Sequence, residues 1–343
     1  MNIQSAIETV IHGQDLENAQ MGEVMQAIMT GECTPAQIGG FLVGLRMKGE
    51  TVEEIAAAAR IMRSLATPVE VDRDRLVDTC GTGGDAGGTF NISTAGALVA
   101  AGAGVRVAKH GNRSISGRSG SADVLEAAGV RLDADPKRIA RCIDEAGVGF
   151  LFAPAHHGAM KYAIGPRREM AVRTIFNVLG PLTNPAGATR QVIGVFSPDL
   201  VEPLARVLQT LGSEHVMVVH CENGLDEIGI GALTHIAELH AGVVRSYTLD
   251  AAQFGFPSID ARAITVDSPQ ASLDMIQGVL SGVAGPASDI TSVNAGAAIY
   301  VGGGASNLSE GIECARESIR SGNAARALER LIAVSNAPDP SDR

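Results

Sequence analysis

Tryptophan is absent from this 343-residue chain, and aromatic residues make up only 3% of it. Proteins that bind single-stranded nucleic acids stack the bases on aromatic side chains, so this composition disfavours that function. Basic residues are outnumbered as well, since the formal net charge is −11 at pH 7. An acidic surface repels phosphate backbones and anionic lipids, so we expect neither a nucleic-acid nor a membrane partner. An anion bound by this protein must therefore lie in a local basic pocket.

Cysteines and long apolar runs are also scarce. The five cysteines are scattered and never form a C-x-x-C pair, which disfavours a disulfide framework or a structural zinc site and fits a reducing compartment. No apolar run reaches the roughly 18 residues of a membrane-spanning helix, and the first residues lack the features of a signal peptide. The sequence therefore predicts a cytoplasmic protein with one large or two ordinary domains.

Apolar residues recur at helical spacing through residues 1–66, which predicts a packed helical subdomain. Thr34-Pro35 is typical of a helix start with proline at the first helical position. Gly49 is typical of the boundary between two helices. An apolar helix face left exposed in this region would supply a dimer interface.

Short β runs alternate with helices from Leu76 onward, a pattern typical of an α/β domain with a mostly parallel sheet. The predicted strands cover residues 76–79, 105–108, 149–153, 192–195, 216–219 and 243–247, and the last third is mostly helical. Residues 165–183 interrupt the alternation. We predict an apolar helix through residues 170–179 and interpret this segment as a return to the N-terminal helices. The predicted division is a helical domain of residues 1–74, with a return segment near 166–184, and an α/β domain of residues 75–165 and 185–343.

Two glycine-rich polar segments follow the first predicted strand. The first, Gly81-Thr82-Gly83-Gly84-Asp85, matches neither the P-loop nor the dinucleotide fingerprint and by itself fits a tight turn. The second, a loop over residues 89–94, opens into a predicted helix of small residues over 95–102. Bare backbone N–H groups, hydroxyls and helix N-termini bind anions. Two such segments so close together favour a phosphate site.

A cationic segment, residues 109–114, follows the second predicted strand. It combines Lys109, His110, Gly111, Asn112, Arg113 and Ser114, and serines and glycines continue it to Ser121. A solvated charged loop is the alternative interpretation. Ligands of open α/β sheets, however, bind at the carboxyl ends of strands. We therefore expect the cationic segment to complete the phosphate site.

Two adjacent carboxylates, Asp226 and Glu227, follow another predicted strand and a turn. By themselves they are explained slightly better as an ordinary acidic loop. Mg²⁺, however, prefers one or two carboxylates together with substrate phosphates. A pyrophosphate in an acidic protein also needs its charge offset, which bridging metal ions do well. In combination with the phosphate site, this pair predicts bound Mg²⁺.

His156 and His157 follow the predicted strand over 149–153, and Arg167 lies further along the chain. Without a nearby Cys or Asp they form a poor zinc site. A pocket wall for an acidic or aromatic substrate, with Arg167 holding a carboxylate, is the better interpretation. The remaining histidines are interpreted as structural or surface residues: His12, His215, His220, His235 and His240. The sequence contains neither a nucleophile elbow nor an obvious Cys–His pair, so the site is predicted to act by positioning and charge stabilisation.

Together these segments resemble those of the anthranilate phosphoribosyltransferases over essentially the whole chain. The resemblance rests on GTGGD (81–85), NIST (91–94), KHGNRS (109–114), GSAD (120–123), HHGAMK (156–161), FNVLGPLTNP (176–185) and GLDE (224–227). It implies the fold shared with class II nucleoside phosphorylases: an N-terminal helical domain plus a larger α/β domain with a mostly parallel central sheet. It also implies a homodimer formed through the helical domain. The implied reaction, a step of tryptophan biosynthesis, moves the phosphoribosyl group of phosphoribosyl pyrophosphate (PRPP) to the amine of anthranilate and releases pyrophosphate.

The resemblance further implies roles for individual residues. Those that would hold PRPP are Gly81, Gly84, Asp85, Thr89, Asn91, Ile92, Ser93, Thr94, Lys109, His110, Gly111, Asn112, Arg113, Ser114, Ile115, Ser116, Gly117 and Ser121. Two Mg²⁺ ions are implied, one ligated by Ser93 and Glu227 and the other by Asp226 and Glu227. Asn112, Arg167 and Gly81 would contact anthranilate, and His110, His157 and Gly180 would line its path. Gly158 stands where the family often has proline.

Two alternatives remain at this point. A class II nucleoside phosphorylase would share the fold but use phosphate and a nucleobase, and it should carry a different lysine–serine phosphate signature. A nucleic-acid-binding relative without enzymatic activity should have a basic surface, whereas this chain is acidic.

Overall fold

The computed structural model describes residues 1–83, 88–114, 119–258 and 260–338. Its helices are α1 (Ile3–Ile11), α2 (Asn18–Thr30), α3 (Pro35–Lys48), α4 (Val52–Leu65), α5 (Ile92–Gly102), α6 (Ser121–Ala127), α7 (Pro136–Ala146), α8 (Ala153–His156), α9 (Lys161–Met170), α10 (Phe176–Leu179), α11 (Val201–Thr210), α12 (Pro269–Leu280), α13 (Pro286–Val301), α14 (Leu308–Arg320) and α15 (Asn323–Asn336). Within the described ranges, none of them combines the length and apolar character needed to cross a bilayer.

The strands of the described residues form one seven-stranded sheet in the order β3-β2-β1-β4-β5-β6-β7. They are β1 (Val77–Gly81), β2 (Val107–Gly111), β3 (Val148–Phe152), β4 (Arg190–Gly194), β5 (His215–Cys221), β6 (Thr234–His240) and β7 (Val243–Leu249). The first five run parallel, and β6 and β7 add an antiparallel edge. The predicted fold class, a helical domain with a mostly parallel α/β sheet, is confirmed, although the sequence analysis did not identify β6.

Local sequence explains the boundaries of the N-terminal helices. Thr34 and Thr51 precede α3 and α4, and each hydroxyl accepts a hydrogen bond from the backbone N–H three residues later. The side chains of Gln37 and Glu54 bond back to the backbone N–H of the capping threonine, so each start is a capping box. Gly49 ends α3 with φ 89°, a conformation that favours glycine.

Each face of the sheet is covered by a different layer. Alternate residues of one strand point to opposite faces: on β5, Met217 packs in the core beneath α5 and α12–α15, whereas Val216 packs in the core shared with the N-terminal helices. That second core also includes Ala163, Phe176 and Leu179 from the segment between β3 and β4. The sheet is therefore buried on both faces, as a parallel sheet requires.

The predicted apolar helix through residues 170–179 is wrong. Helix α9 ends at Met170, and the φ of 51° at the next residue, Ala171, lies in the left-handed region. A non-helical stretch follows, and α10 begins only at Phe176. Because a left-handed residue cannot continue a right-handed helix, the chain turns at Ala171 even though its flanks are apolar.

A network of polar side chains joins β5, β6, β7 and α13 away from the glycine-rich segments. Glu238 lies 2.9 Å from His215 Nε2 and accepts hydrogen bonds from the hydroxyls of Tyr300 (2.8 Å) and Tyr247 (3.0 Å). The rings of His215 and His240 stack at 4.2 Å with an angle of 8°. Nitrogen lone pairs lie in the ring planes, so two parallel rings do not converge on one ion. We interpret the group as a structural network.

Candidate active site

The parallel strands end at one edge of the sheet, with Gly81 and Gly194 as register partners on β1 and β4. The loop that follows β5 lies directly over this edge. A Cβ atom on Gly194 would lie 1.6 Å from the carbonyl oxygen of Asp226, and one on Gly81 would lie 2.6 Å from its Oδ2. Position 194 requires glycine because the loop backbone approaches so closely, whereas a Cβ at position 81 would displace the Asp226 carboxylate.

The first glycine-rich segment and the carboxylate loop are hydrogen-bonded to each other. The backbone N–H of Gly83 donates to Asp226 Oδ2 at 3.1 Å, across 143 residues of sequence. Thr82 is fixed to the neighbouring strand, since its N–H donates to the Gly194 carbonyl at 2.9 Å and its hydroxyl accepts from Phe196 N–H at 3.1 Å. The segment is thus held in place above the strand ends, with Asp226 beside it.

Lys109 projects from β2 into the centre of this edge and is only 3% exposed. Its Nζ donates to the Thr79 carbonyl at 2.5 Å and to Ser93 Oγ at 3.1 Å. Burial lowers the pKa of Lys109, and nearby carboxylates oppose that shift, Asp78 most strongly, followed by Glu227 and Asp226. The ammonium group therefore lies between the carboxylate loop and the first turn of α5.

Ser93, Thr79 and Glu227 line the same small cavity. Hydroxyl and carboxylate oxygens are hard donors of the kind that Mg²⁺ prefers. The donor set formed by Ser93, Asp226 and Glu227 therefore fits Mg²⁺, and the adjacent cation Lys109 offsets part of the carboxylate charge.

The second glycine-rich segment is partly helical, and the prediction that it forms a loop through Thr94 is wrong. Helix α5 begins at Ile92, so Ser93 and Thr94 lie in its first turn. Their N–H groups lie at a positive helix end, which favours bound anions. Thr89 forms an isolated antiparallel bridge with Thr265. The Ser93 hydroxyl, which accepts from Lys109, thus lies at the start of α5 beside the strand ends.

Asn91, which precedes α5, is tied to two serines from different parts of the chain. Its Oδ1 accepts hydrogen bonds from Ser119 Oγ at 2.9 Å and from Ser272 Oγ at 2.8 Å. Ser272 also accepts from the Asn91 backbone N–H at 3.0 Å. Helix α12, which carries Ser272, therefore orients the start of α5. The sequence analysis did not single out Ser272.

The cationic segment is folded back on the start of α6. Arg113 donates to Glu126 at 2.6 and 2.9 Å and to Asp123 at 2.9 Å, and these carboxylates raise its pKa. Asp123 also accepts from the backbone N–H groups of Ser114 (3.1 Å) and Gly120 (2.9 Å). Arg113 is thus already paired with Asp123 and Glu126. These ion pairs hold the cationic segment against α6, and the guanidinium also faces solvent.

Two further residues of that segment contact the start of α6. Ser121 Oγ donates to the Asn112 carbonyl at 3.3 Å. A Cβ atom on Gly111 would lie 2.2 Å from Ser121 Oγ, so a glycine is required at the end of β2. The structure therefore brings Gly111, Asn112 and Ser121 together, as expected of one binding surface.

Three histidines form a neutral wall beside this edge. The rings of His110 and His157 lie 5.2 Å apart, and His156 Nδ1 lies 2.9 Å from the Thr67 carbonyl. Burial lowers the pKa of His110 to about 3, and the Gly180 backbone opposes the shift only weakly. Burial likewise lowers the pKa of His157 to about 4 and lowers that of His156. At neutral pH the imidazoles of His110 and His157 therefore carry no charge.

Arg167 lies on α9 with its guanidinium 5.2 Å from the centre of the Phe176 ring. Burial lowers its pKa. Burial is the single cause of this shift, and among the described residues no carboxylate pairs with the guanidinium. Phe176 begins α10, which leads into Gly180. Arg167 is therefore placed beside the segment that carries Gly180.

Some of the predicted site residues lie outside the described residues: Gly84, Asp85, Ile115, Ser116 and Gly117. Other residues at the edge were missed by the sequence analysis. Asp78 is buried on β1, where its Oδ1 accepts the His110 N–H at 3.0 Å and burial raises its pKa. Asn294 lines the cavity of Ser93 and Glu227. The sequence feature that could have identified Asp78 and Asn294 is a polar residue within an apolar run.

Comparison with known proteins identifies the family. The glycosyl transferase family helical bundle domain matches residues 4–66, and the a/b domain of the same family matches residues 73–325. An anthranilate phosphoribosyltransferase of Thioalkalivibrio sulfidiphilus (strain HL-EbGR7) is 64% identical over 332 residues, which cover 97% of this chain and 98% of the relative. This chain belongs to the anthranilate phosphoribosyltransferase family.

Solved structures of two further members agree over the whole fold. The enzyme of Thermus thermophilus is 45% identical with a TM-score of 0.92, covering 97% of this chain and 99% of that one. The Saccharomyces cerevisiae enzyme in complex with PRPP and Mg is 27% identical with a TM-score of 0.88, covering 97% of each chain. The same yeast enzyme has been solved with 4-fluoroanthranilate.

The predicted activity is confirmed by these relatives. The chain is a glycosyltransferase that transfers the phosphoribosyl group to anthranilate in tryptophan biosynthesis. The nucleoside phosphorylase and nucleic-acid-binding alternatives are set aside accordingly.

Proposed function

We propose that PRPP binds over the carboxyl edge of β1 and β2, between the first glycine-rich segment, the start of α5 and the cationic segment. The contact that carries this proposal is the one between the buried ammonium of Lys109 and Ser93 Oγ (3.1 Å), with Glu227 in the same cavity. A lysine beside a helix N-terminus suits a phosphate-rich anion. The yeast relative, solved in complex with PRPP and Mg, supports these two ligands but does not locate them.

The same proposal assigns two Mg²⁺ ions to this edge, one held by Ser93 and Glu227 and the other by Asp226 and Glu227. When bound, Mg²⁺ supplies positive charge that offsets the pyrophosphate and stabilises it as a leaving group. Gly83 N–H holds Asp226 in place at 3.1 Å. The loop is therefore positioned before the metal arrives.

Anthranilate is proposed to bind beside the sugar, with Arg167, Asn112 and Gly81 as its contacts and with His110, His157 and Gly180 along its path. The Arg167 guanidinium pairs with no carboxylate of the described residues, so it can hold the carboxylate of the acceptor through two parallel hydrogen bonds. The histidine wall is neutral because burial lowers the pKa values of His110 and His157 to about 3 and about 4. An aromatic amine is itself neutral and nucleophilic at neutral pH, and uncharged imidazoles add no positive charge beside the sugar that it attacks.

The proposed chemistry is a substitution at the anomeric carbon. The bond from that carbon to the pyrophosphate oxygen breaks, positive charge builds on the sugar, and the amine nitrogen forms the new bond. After attack the nitrogen loses one proton to the released pyrophosphate, which leaves the product nitrogen neutral. Backbone N–H groups and Lys109 bind the departing anion, while Arg167 and the histidine wall orient the amine. Positioning and electrostatic stabilisation supply the acceleration, so a strong general base is not required before attack.

We further propose the domain division expected from the sequence, with residues 166–184 belonging to the helical domain. Phe176 and Leu179 pack into the core that the N-terminal helices share with one face of the sheet, which is consistent with this division. We also propose a homodimer through that domain, because Ile11 (59% exposed) and Met47 (83% exposed) leave apolar surface on α1 and α3. The cytoplasmic location stays a prediction.

The proposal is tested by measuring pyrophosphate release from PRPP with and without anthranilate and Mg²⁺. We expect release that depends on all three components. The double variant Asp226→Asn with Glu227→Gln should lose turnover by a factor of about 100 or more while it unfolds at nearly the wild-type temperature. Wild-type turnover of this variant at limiting Mg²⁺ would overturn the metal assignment, and release without anthranilate would overturn the acceptor assignment.

A further inference from the structure

Asn294 of α13 is 4% exposed and bonded to the protein backbone. Its Oδ1 accepts the Ile228 N–H at 2.9 Å, and its Nδ2 donates to the carbonyls of Ile228 and Ile290, each at 2.9 Å. One N–H and two carbonyls surround the amide, so its partners determine which side is oxygen and which is nitrogen. The Asn294 side chain is therefore hydrogen-bonded to both the backbone N–H and the backbone carbonyl of Ile228.

Ile228 directly follows the carboxylate pair Asp226 and Glu227. The loop is fixed on its other sides as well, because Asp226 accepts from Gly83 N–H at 3.1 Å and the next residue after Ile228, Gly229, donates to Thr234 Oγ1 at 3.1 Å. A backbone held one residue away from a carboxylate limits how far that carboxylate can swing. The hydrogen bonds between Asn294 and the Ile228 backbone therefore restrict the orientation of Glu227.

The same part of α13 also supports the opposite side of the site. A Cβ atom on Gly96 would lie 3.5 Å from the backbone nitrogen of Ala295, so α5 and α13 pack backbone against backbone there. Gly96 lies one turn after Ser93 on α5. Neighbouring residues of α13 thus hold the Ser93 helix and the carboxylate loop, and Asn294, Ser93 and Glu227 line one cavity.

We propose that Asn294 is a positioning residue that sets the separation between Ser93 and the carboxylates of Asp226 and Glu227, and thereby the affinity for Mg²⁺. The inference rests on the proposed function, which places Mg²⁺ between these side chains. Residues that orient metal ligands without touching the ion typically change metal affinity or activity by about 10- to 100-fold when they are replaced.

The test replaces Asn294 by leucine, which has a similar shape but makes no hydrogen bonds. In Asn294→Leu we expect the Mg²⁺ concentration for half-maximal rate to rise about tenfold or more, with turnover recovering at high Mg²⁺ and KM for anthranilate unchanged. Mn²⁺ binding in the presence of PRPP can be measured from the electron paramagnetic resonance signal of the free ion. We expect the affinity for Mn²⁺ to fall by the same factor. Asn294→Ser, which is smaller, carries the test if the leucine variant does not fold.

Ser292→Ala is the matched control. Ser292 is buried on the same helix and donates to the Ser288 carbonyl at 2.7 Å, but it lies two positions from Asn294 and so faces away from it. This variant should lose thermal stability without any change in Mn²⁺ affinity. Amide hydrogen exchange at Ile228 should accelerate in the Asn294 variants and not in the control.

Two results separate the inference from the function on which it rests. If Asp226→Asn with Glu227→Gln weakens Mn²⁺ binding and the folded Asn294 variants do not, the positioning role is wrong and the metal assignment stands. If the double carboxylate variant binds Mn²⁺ as the wild type does, the metal assignment and the positioning role both fail.

Discussion

Acidification should lower the stability of this protein through its buried histidines. The ordinary pKa of histidine is 6.5, and burial lowers that of His110 to about 3 and that of His157 to about 4. At a pH between the folded-state pKa of one of these histidines and its ordinary pKa, the imidazole is protonated in the unfolded chain but stays neutral in the folded chain. The stabilisation is therefore present above pH 6.5 and is lost as the pH falls below it.

The magnitude follows from the unfolded state. At about pH 5 both folded-state pKa values lie below the solution pH, so the loss depends almost entirely on protonation of the unfolded imidazole. Each histidine then costs about 2 kcal/mol of unfolding free energy relative to about pH 7.5. Other ionisable groups titrate in the same range, so the contribution of one histidine is obtained as a difference between two proteins.

The assay is urea unfolding of the wild type, His157→Gln and His12→Gln at a series of pH values between about 7.5 and 5. His12 is an exposed histidine directly after α1, with a side chain 61% accessible, and serves as the matched control. We expect the stability of His157→Gln to fall by about 2 kcal/mol less than that of the wild type over this range. Parallel curves for the wild type and His157→Gln would refute the reasoning, whatever the absolute stability of the variant.

Further predictions concern a close contact, an ion pair and a helix. Gly194→Ala should displace the carboxylate loop, because its Cβ would lie 1.6 Å from the Asp226 carbonyl oxygen, and steady-state kinetics should show a large loss of Mg²⁺ response; unchanged Mg²⁺ kinetics would contradict the loop placement. Lys48→Met should lower the free energy of unfolding by about 3 kcal/mol, because it leaves Glu54, 0% exposed, without its cation at 2.9 Å; an unchanged urea midpoint would count against it. Gly278→Ala should raise the unfolding free energy by up to about 1 kcal/mol, since a Cβ there meets nothing within 4 Å, and a lower melting temperature would disprove that.

Much of the fold could be predicted because its determinants are local. The capping boxes at Thr34 and Thr51 involve partners three residues away, and the β runs that end at Gly81 and Gly111 alternate with helices over short distances. β6 was missed because its charged and polar residues, such as Glu238, break the apolar run that the parallel strands show. Ala171 ended α9 for a reason of backbone conformation, φ 51°, which its side chain does not signal.

The candidate site was only partly predictable. The chemistry of Lys109, Ser93, Asp226 and Glu227 is visible in the residue types, and their resemblance to a family placed them in one site. Their contacts were not visible, since Asp226 meets Gly83 across 143 residues.

The sequence by itself determined the helix starts, the mostly parallel sheet, the family and the charged side chains that lie at the carboxyl edge of the sheet. These follow from residue type and spacing over a few positions, where capping and periodicity act. Only the tertiary structure decided that Gly194 must be glycine, that Ser272 orients Asn91, and that Asn294 is hydrogen-bonded to the backbone of Ile228. Those contacts join residues far apart in the chain, and the packing of helices against the sheet, rather than any local spacing, brings them within hydrogen-bond distance.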